Sequence, residues 1–158
     1  MKINLQIKEY SEGLKPFIDF ICRFPKQRRS APISAFVDTG SPFSCISMKD
    51  IRRMTIPIKS IIKKEDYRIL YIGGRTVKGY AIHTKVEFLF VDENGQKHNL
   101  TPKTLYLLMP TKEDEKSMRL FLHLPNILGV DFLLDYKLGL YFNPSKNIAW
   151  LDMEENKG

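Results

Sequence analysis

Ile33-Ser34-Ala35-Phe36-Val37-Asp38-Thr39-Gly40-Ser41 is an apolar, β-prone run that ends abruptly in an acid, a hydroxyl residue and a glycine. Runs rich in β-branched and aromatic residues favour strands, whereas Asp, Gly and Ser favour turns. The stretch therefore predicts a buried strand driven into a tight turn, with one carboxylate at the bend. A carboxylate beside apolar strand is costly unless something satisfies it, which points to chemistry. Taken alone, Asp-Thr-Gly is a strand-ending Asx turn.

Two further stretches change that weighting. Residues 67–72 and 76–82 read as the arms of a β-hairpin with Gly73-Gly74 at its tip. Glycine there permits positive φ and close approach to a ligand. Further on, Asn126-Ile127-Leu128-Gly129-Val130-Asp131-Phe132-Leu133-Leu134 is a second apolar run broken by one glycine. The three parts together, Phe36 to Ser41, Ile72-Gly73-Gly74 and Ile127 to Gly129, resemble the signature of the retropepsin-like aspartic proteases. That family includes the retroviral proteases and the protease-like domain of the DNA-damage-inducible ubiquitin-shuttle proteins. The resemblance implies an all-β, single-lobe acid-protease barrel with one or two short helices over residues 1–152, leaving 153–158 as a polar tail.

Aspartic proteolysis needs two carboxylates sharing one proton about a water, one acting as base and the other as acid. No metal or cofactor is required. The chain has one Asp-Thr-Gly, and neither Asp131 nor Asp135 begins a turn of that kind. One chain thus supplies half a dyad, and a two-fold homodimer would bring Asp38 against its own copy. The resemblance implies that arrangement, with Asp38 catalytic, Thr39 hydrogen-bonded across the axis and Gly40 allowing close backbone approach. It also implies Phe36, Ser41, Ile72, Gly73, Gly74 and Ile127 as substrate-contacting positions, the glycines forming a flap. A hydrogen bond from the Ser41 hydroxyl to Asp38 would favour the ionised acid and lower the pH of maximal activity. Many retroviral enzymes place an acid after Asp-Thr-Gly-Ala and an arginine after the second glycine, as an ion pair. Pro42 and Val130 stand there instead, so both partners are replaced together and no orphan charge remains.

Composition narrows the alternatives. At 158 residues and 43% hydrophobic content the chain suits one domain with a real core. No apolar run reaches the ~20 residues of a membrane helix, and no signal-peptide pattern opens the chain, so a cytoplasmic protein without membrane contact is expected. Cys22 and Cys45 sit in apolar surroundings and read as buried thiols. His83, His98 and His123 lack metal-ligand spacing, so no metal is expected. The formal charge of +7 gathers at Lys26-Gln27-Arg28-Arg29 and around residues 59–64. These clusters lack interleaved aromatics, so nucleic-acid binding is not expected. An acidic preference in the protein partner or substrate is the weaker electrostatic reading. Three functions remain open: a dimeric aspartic endopeptidase acting on peptides or unfolded protein, a catalytically inactive dimerisation or peptide-binding module of the same fold, and a basic nucleic-acid-binding barrel.

Residues 2–8 alternate as a half-buried strand. Strands are also expected over 17–24, 33–37, 43–46, 85–91 and 118–124, with one strand or a pair over 98–109. A final hairpin spans 136–142 and 147–151. Ser47 with Asp50 three residues later predicts a capped helix through Met54. A second short helix is expected over 129–135.

Overall fold

The computed structural model of the chain describes residues 1–10, 13–72, 74–112 and 114–154, without the side chain of Leu120. The chain opens with β1 (Lys2–Asn4), β2 (Gln6–Tyr10), β3 (Gly13–Phe24), β4 (Arg29–Val37) and β5 (Cys45–Ser47), followed by helix α1 (Met48–Arg53). A long hairpin of β6 (Ile62–Ile72) and β7 (Arg75–Ile82) precedes β8 (Glu87–Val91), β9 (Lys97–Leu100) and β10 (Tyr106–Met109). Helix α2 (Glu115–Phe121), β11 (Asn126–Leu128) and α3 (Val130–Asp135) follow, and β12 (Leu138–Asn143) and β13 (Ile148–Met153) close the chain.

The main sheet runs β6-β7-β10-β5-β11-β4-β3-β8-β9, with β2 sharing the outer edge of the long β3. The path ends at β6 and β9 without joining them, so the barrel-like sheet is open rather than closed. A second sheet, β1-β13-β12, ties the two ends of the chain together. The decisive feature is β11. It lies parallel to β4, with Ile127 opposite Phe36 and Leu128 opposite Val37, and on its other side Ile127 pairs antiparallel with Cys45 of β5. The loop from Asp38 to Ser44 must therefore step over the end of β11.

Two apolar clusters form the interior. The larger gathers Phe20, Phe24, Phe88, Phe90 and Phe132 with Ile18, Ile51 and Leu128, with Phe20 4.7 Å from Phe88 and Phe132 5.9 Å from Phe90 between ring centroids. Full burial of each such side chain contributes roughly 1.5–3 kcal/mol. The smaller joins Phe36, Cys45, Val77, Tyr106, Leu108, Phe121 and Ile127 and underlies the β6–β7 hairpin. Both thiols are buried, and burial pushes each up to about 12, which leaves them unreactive.

Residues 118–124 are not a strand. Glu115–Phe121 is helical, because Asp114 Oδ1 accepts the Ser117 N–H at 2.7 Å and Arg119 pairs with Glu115 at 2.6 Å one turn away. The apolar run there includes the partly buried Met118 and the buried Phe121 of that helix, a pattern that a short window does not distinguish from a strand. Ser47 does occupy the N-cap of α1, but its hydroxyl makes no capping bond and is buried without a partner among the described residues. Asp50, the other half of the expected box, turns to Asn126 and Arg53 instead.

Candidate active site

Asp38 follows the last residue of β4 and is half-buried, while Thr39 and Gly40 are exposed. Its backbone is anchored to β11, the Asp38 N–H donating to the Leu128 carbonyl at 3.0 Å. The turn then folds on itself: the Gly40 N–H donates to Asp38 Oδ1 at 2.9 Å and the Ser41 N–H to the Asp38 carbonyl at 3.2 Å. The Ser41 hydroxyl donates to the Phe43 carbonyl at 2.7 Å. The expected bond from Ser41 to Asp38 is therefore absent, because a carbonyl two residues on is nearer the hydroxyl than the acid.

The second glycine motif buttresses this turn from behind. The Val130 N–H donates to the Ser41 carbonyl at 2.8 Å, and the Asp131 N–H to that of Pro42 at 3.3 Å. A Cβ on Gly129 would stand 2.6 Å from the carbonyl oxygens of both Phe43 and Ser41, so only glycine allows the two segments to approach so closely. Asp131 locks the contact: its carboxylate accepts from the Ser44 hydroxyl at 2.7 Å and the Ser44 N–H at 3.1 Å, while the Gly129 N–H donates to Ser44 Oγ at 2.9 Å. Below it, Asn126 accepts the Ser47 N–H at 2.6 Å and donates to the Ser34 carbonyl at 2.9 Å and to Asp50 at 2.6 Å. Buried polar groups satisfied from several elements at once hold a single geometry.

In front of the turn lies a cleft of ≈ 470 Å³. Phe36, Ile127, Ile72, Leu124 and Pro125 give it apolar walls, Tyr10 stands against Phe36 at 4.4 Å, and Lys15, Arg75 and His123 are its basic groups. Asp38 is the sole carboxylate among the described residues that line it. The β6–β7 hairpin reaches the cleft through Ile72 and Arg75, with Gly74 at φ +75° at its tip, a conformation other residues resist. Gly73, expected beside it, falls outside the described residues. Tyr71 on the same hairpin is 80% exposed, as expected of an arm standing clear of the body. No group of three or more His, Cys, Asp or Glu side chains among the described residues is placed to hold a metal ion.

No family model and no curated protein matches the chain. Among solved structures, a retropepsin-like aspartic protease from Rickettsia conorii superposes with a TM-score of 0.50 at 13% identity, over 96% of this chain and 89% of that one. The fold is retropepsin-like. EIAV protease complexed with the inhibitor HBY-793 matches at TM-score 0.49 and 16% identity, over 85% of this chain and 100% of that one, too distant to support anything further.

Within this retropepsin-like fold the structure brings Phe36, Asp38, Ile72 and Ile127 to one cleft. Thr39 and Gly40 sit on the exposed turn beside it, and Ser41 faces back toward Phe43. Sequence reasoning missed Tyr10, Lys15, Arg75, His123, Leu124 and Pro125 as lining residues. It also missed the Ser44–Asp131 and Asn126–Asp50 locks. The polar residues beside each motif were the available signal, but nothing local says which of them face each other.

Proposed function

We propose that the chain is an aspartic endopeptidase that acts as a homodimer and cleaves peptides or unfolded protein. One observation carries this reading: Asp38 stands on a braced turn in a peptide-sized cleft with no second carboxylate lining it among the described residues, while Thr39 and Gly40 beside it are open to a partner. Two such turns meeting at a two-fold axis place two carboxylates about one water. The ionised oxygen takes a proton from the water, which attacks the scissile carbonyl. The protonated partner donates to the developing oxyanion. Like charges so close cannot both ionise, so the pair holds base and acid together.

The rest of the site serves binding. The walls formed by Phe36, Ile127 and Ile72 suit apolar side chains flanking the bond, and the β6–β7 hairpin is the element placed to close over them. The Gly40 N–H on Asp38 Oδ1 orients the carboxylate. The expected outcome for Asp38→Asn is an unchanged fold and dimer with peptidase activity reduced by at least about a thousandfold, as when one member of an acid–base unit is lost. Specific activity of the native protein should also fall on dilution through the dimer dissociation constant. A purified Asn variant that cleaves at the native rate, or full activity from a species shown by sedimentation to be monomeric, refutes the reading. Peptide binding without cleavage by the native protein would make the chain an inactive peptide-binding module instead.

A further inference from the structure

We infer that the cleft selects peptides bearing acidic side chains on the two sides of the scissile bond, through Lys15 on β3 and Arg75 on the β6–β7 hairpin. The inference rests on the proteolytic reading and names the substrate class of that site.

Lys15 is half-buried on β3, and its Nζ lies 5.4 Å from the centroid of the ring of Phe36, which sits on β4, the strand leading into Asp38. Its cross-strand partner is Lys8, whose Nζ lies 5.3 Å from the Phe17 ring. Two like charges directly opposite on a hairpin repel, and aromatic faces offset that only in part. Neither lysine forms an ion pair among the described residues. Glu9, the acid on β2 nearest in sequence, is registered against Leu14 rather than Lys15. Arg75 likewise has no ion-pair partner there, is exposed, and pairs with Ile72 across the hairpin tip. It lines both the Asp38 cleft and a smaller pocket of ≈ 120 Å³ beneath the hairpin, walled by Val77, Phe121 and Leu124.

The cleft thus carries basic groups from both β3 and the hairpin, and its one acid among the described residues is the proposed catalytic group. The adjoining groove of ≈ 610 Å³ offers a contrast. It shares Tyr10, His123, Leu124 and Pro125 with the cleft, but its acids Asp19 and Asp50 are balanced in number by Lys49 and Arg53. Asp50 pairs with Arg53 at 3.1 Å, and Asp19 accepts from Gln6 and Ser34. A peptide running on into that groove meets little net charge. Selection for acids therefore belongs to the cleft, where the low-dielectric walls of Phe36 and Ile127 strengthen each contact.

Partly exposed charge pairs of this kind change affinity about two- to fivefold each. The test compares peptides of one apolar sequence carrying Glu or Gln at positions flanking the cleaved bond. Cleavage is followed with native protein, Lys15→Gln, Arg75→Gln, the double variant, and Lys97→Gln as a change outside the cleft. The native enzyme should favour the Glu peptides about tenfold in kcat/KM at low salt, mostly through KM. The preference should fade with added salt and disappear as pH falls below about 4.3, where glutamate side chains lose their charge. The double variant should cleave both peptides alike, and Lys97→Gln should behave as native. A preference that survives the double variant, or a native enzyme that is indifferent to Glu at low salt, overturns the inference. The same peptides titrated by fluorescence anisotropy onto Asp38→Asn separate the two readings. Acid-selective binding without cleavage by the native protein would sink the protease and keep the selectivity, whereas equal binding of both peptides would sink the selectivity alone.

Discussion

Replacing Gly129 with alanine tests the brace behind Asp38 directly. The Gly129 backbone has φ −93° and ψ −172°, which alanine adopts freely, so the whole cost is contact. The new methyl group would stand 2.6 Å from the carbonyl oxygens of Ser41 and Phe43, both backbone atoms that no rotamer change can move aside. Ordinary contact needs about 0.8 Å more, and overpacking of that kind costs about 1–3 kcal/mol. The Ser41 carbonyl also accepts the Val130 N–H at 2.8 Å, so moving it strains a hydrogen bond worth about 1 kcal/mol net. The sum is roughly 2–4 kcal/mol, a fall in Tm of about 2–4 °C per kcal/mol for a chain of this size. Because the displaced atoms belong to the turn that carries Asp38, peptidase activity should fall about 10- to 100-fold more than unfolding accounts for. Urea unfolding and kinetics at one fixed protein concentration check both, since dimerisation couples stability to concentration. A variant stable to within ~0.5 kcal/mol of native, the scatter of an indifferent surface change, would mean that β11 does not press on the Asp38 turn.

Ser41→Ala should leave the pH profile of peptidase activity in place and lower stability by about 1 kcal/mol, since the hydroxyl serves Phe43 and not Asp38. A profile shifted to higher pH would restore a tuning role for the hydroxyl. His98→Leu should make the protein unfold at higher pH when acidified. The His98 ring hydrogen-bonds Asp92 Oδ2 at 2.8 Å and, with the N–H groups of Gln96 and Asn94, holds that carboxyl below the usual carboxylate range. A depressed carboxyl contributes stability at pH above its unfolded value of about 3.9 and loses it as pH falls through the lower folded value. Without His98 that loss begins sooner, and urea midpoints measured between about pH 2 and pH 6 would show it; superimposable acid limbs would remove the pair from the account.

The elements read correctly from the chain were those whose pattern is local. The alternation of residues 2–8, the apolar run into Asp38 and the glycine-tipped hairpin each carry a period or a turn residue that the backbone obeys. They became β1 and β2, β4, and the β6–β7 pair. The failures share a cause. Residues 118–124 were apolar without a period long enough to separate helix from strand, and the cap that decided the matter came from Asp114, outside that window. Ser47 and Asp50 had the spacing of a capping box, yet a side chain 76 residues further on, Asn126, drew Asp50 away.

The residues alone were sufficient to place one carboxylate at the end of a buried strand, to pair that motif with a second glycine, and to count a single Asp-Thr-Gly in the chain. Those statements depend on backbone preference and on counting. Only the tertiary structure decided that β11 slides between β4 and β5, so that Gly129 presses against the Ser41 and Phe43 carbonyls and Asp131 reaches Ser44 across 87 positions. It alone put Lys15 and Arg75 into the cleft, and turned the Ser41 hydroxyl away from Asp38. The physical reason is the range of the forces involved. Strand and turn propensities act over a few residues, whereas hydrogen bonds, close packing and charge selection depend on which distant segments the sheet brings within a few ångströms.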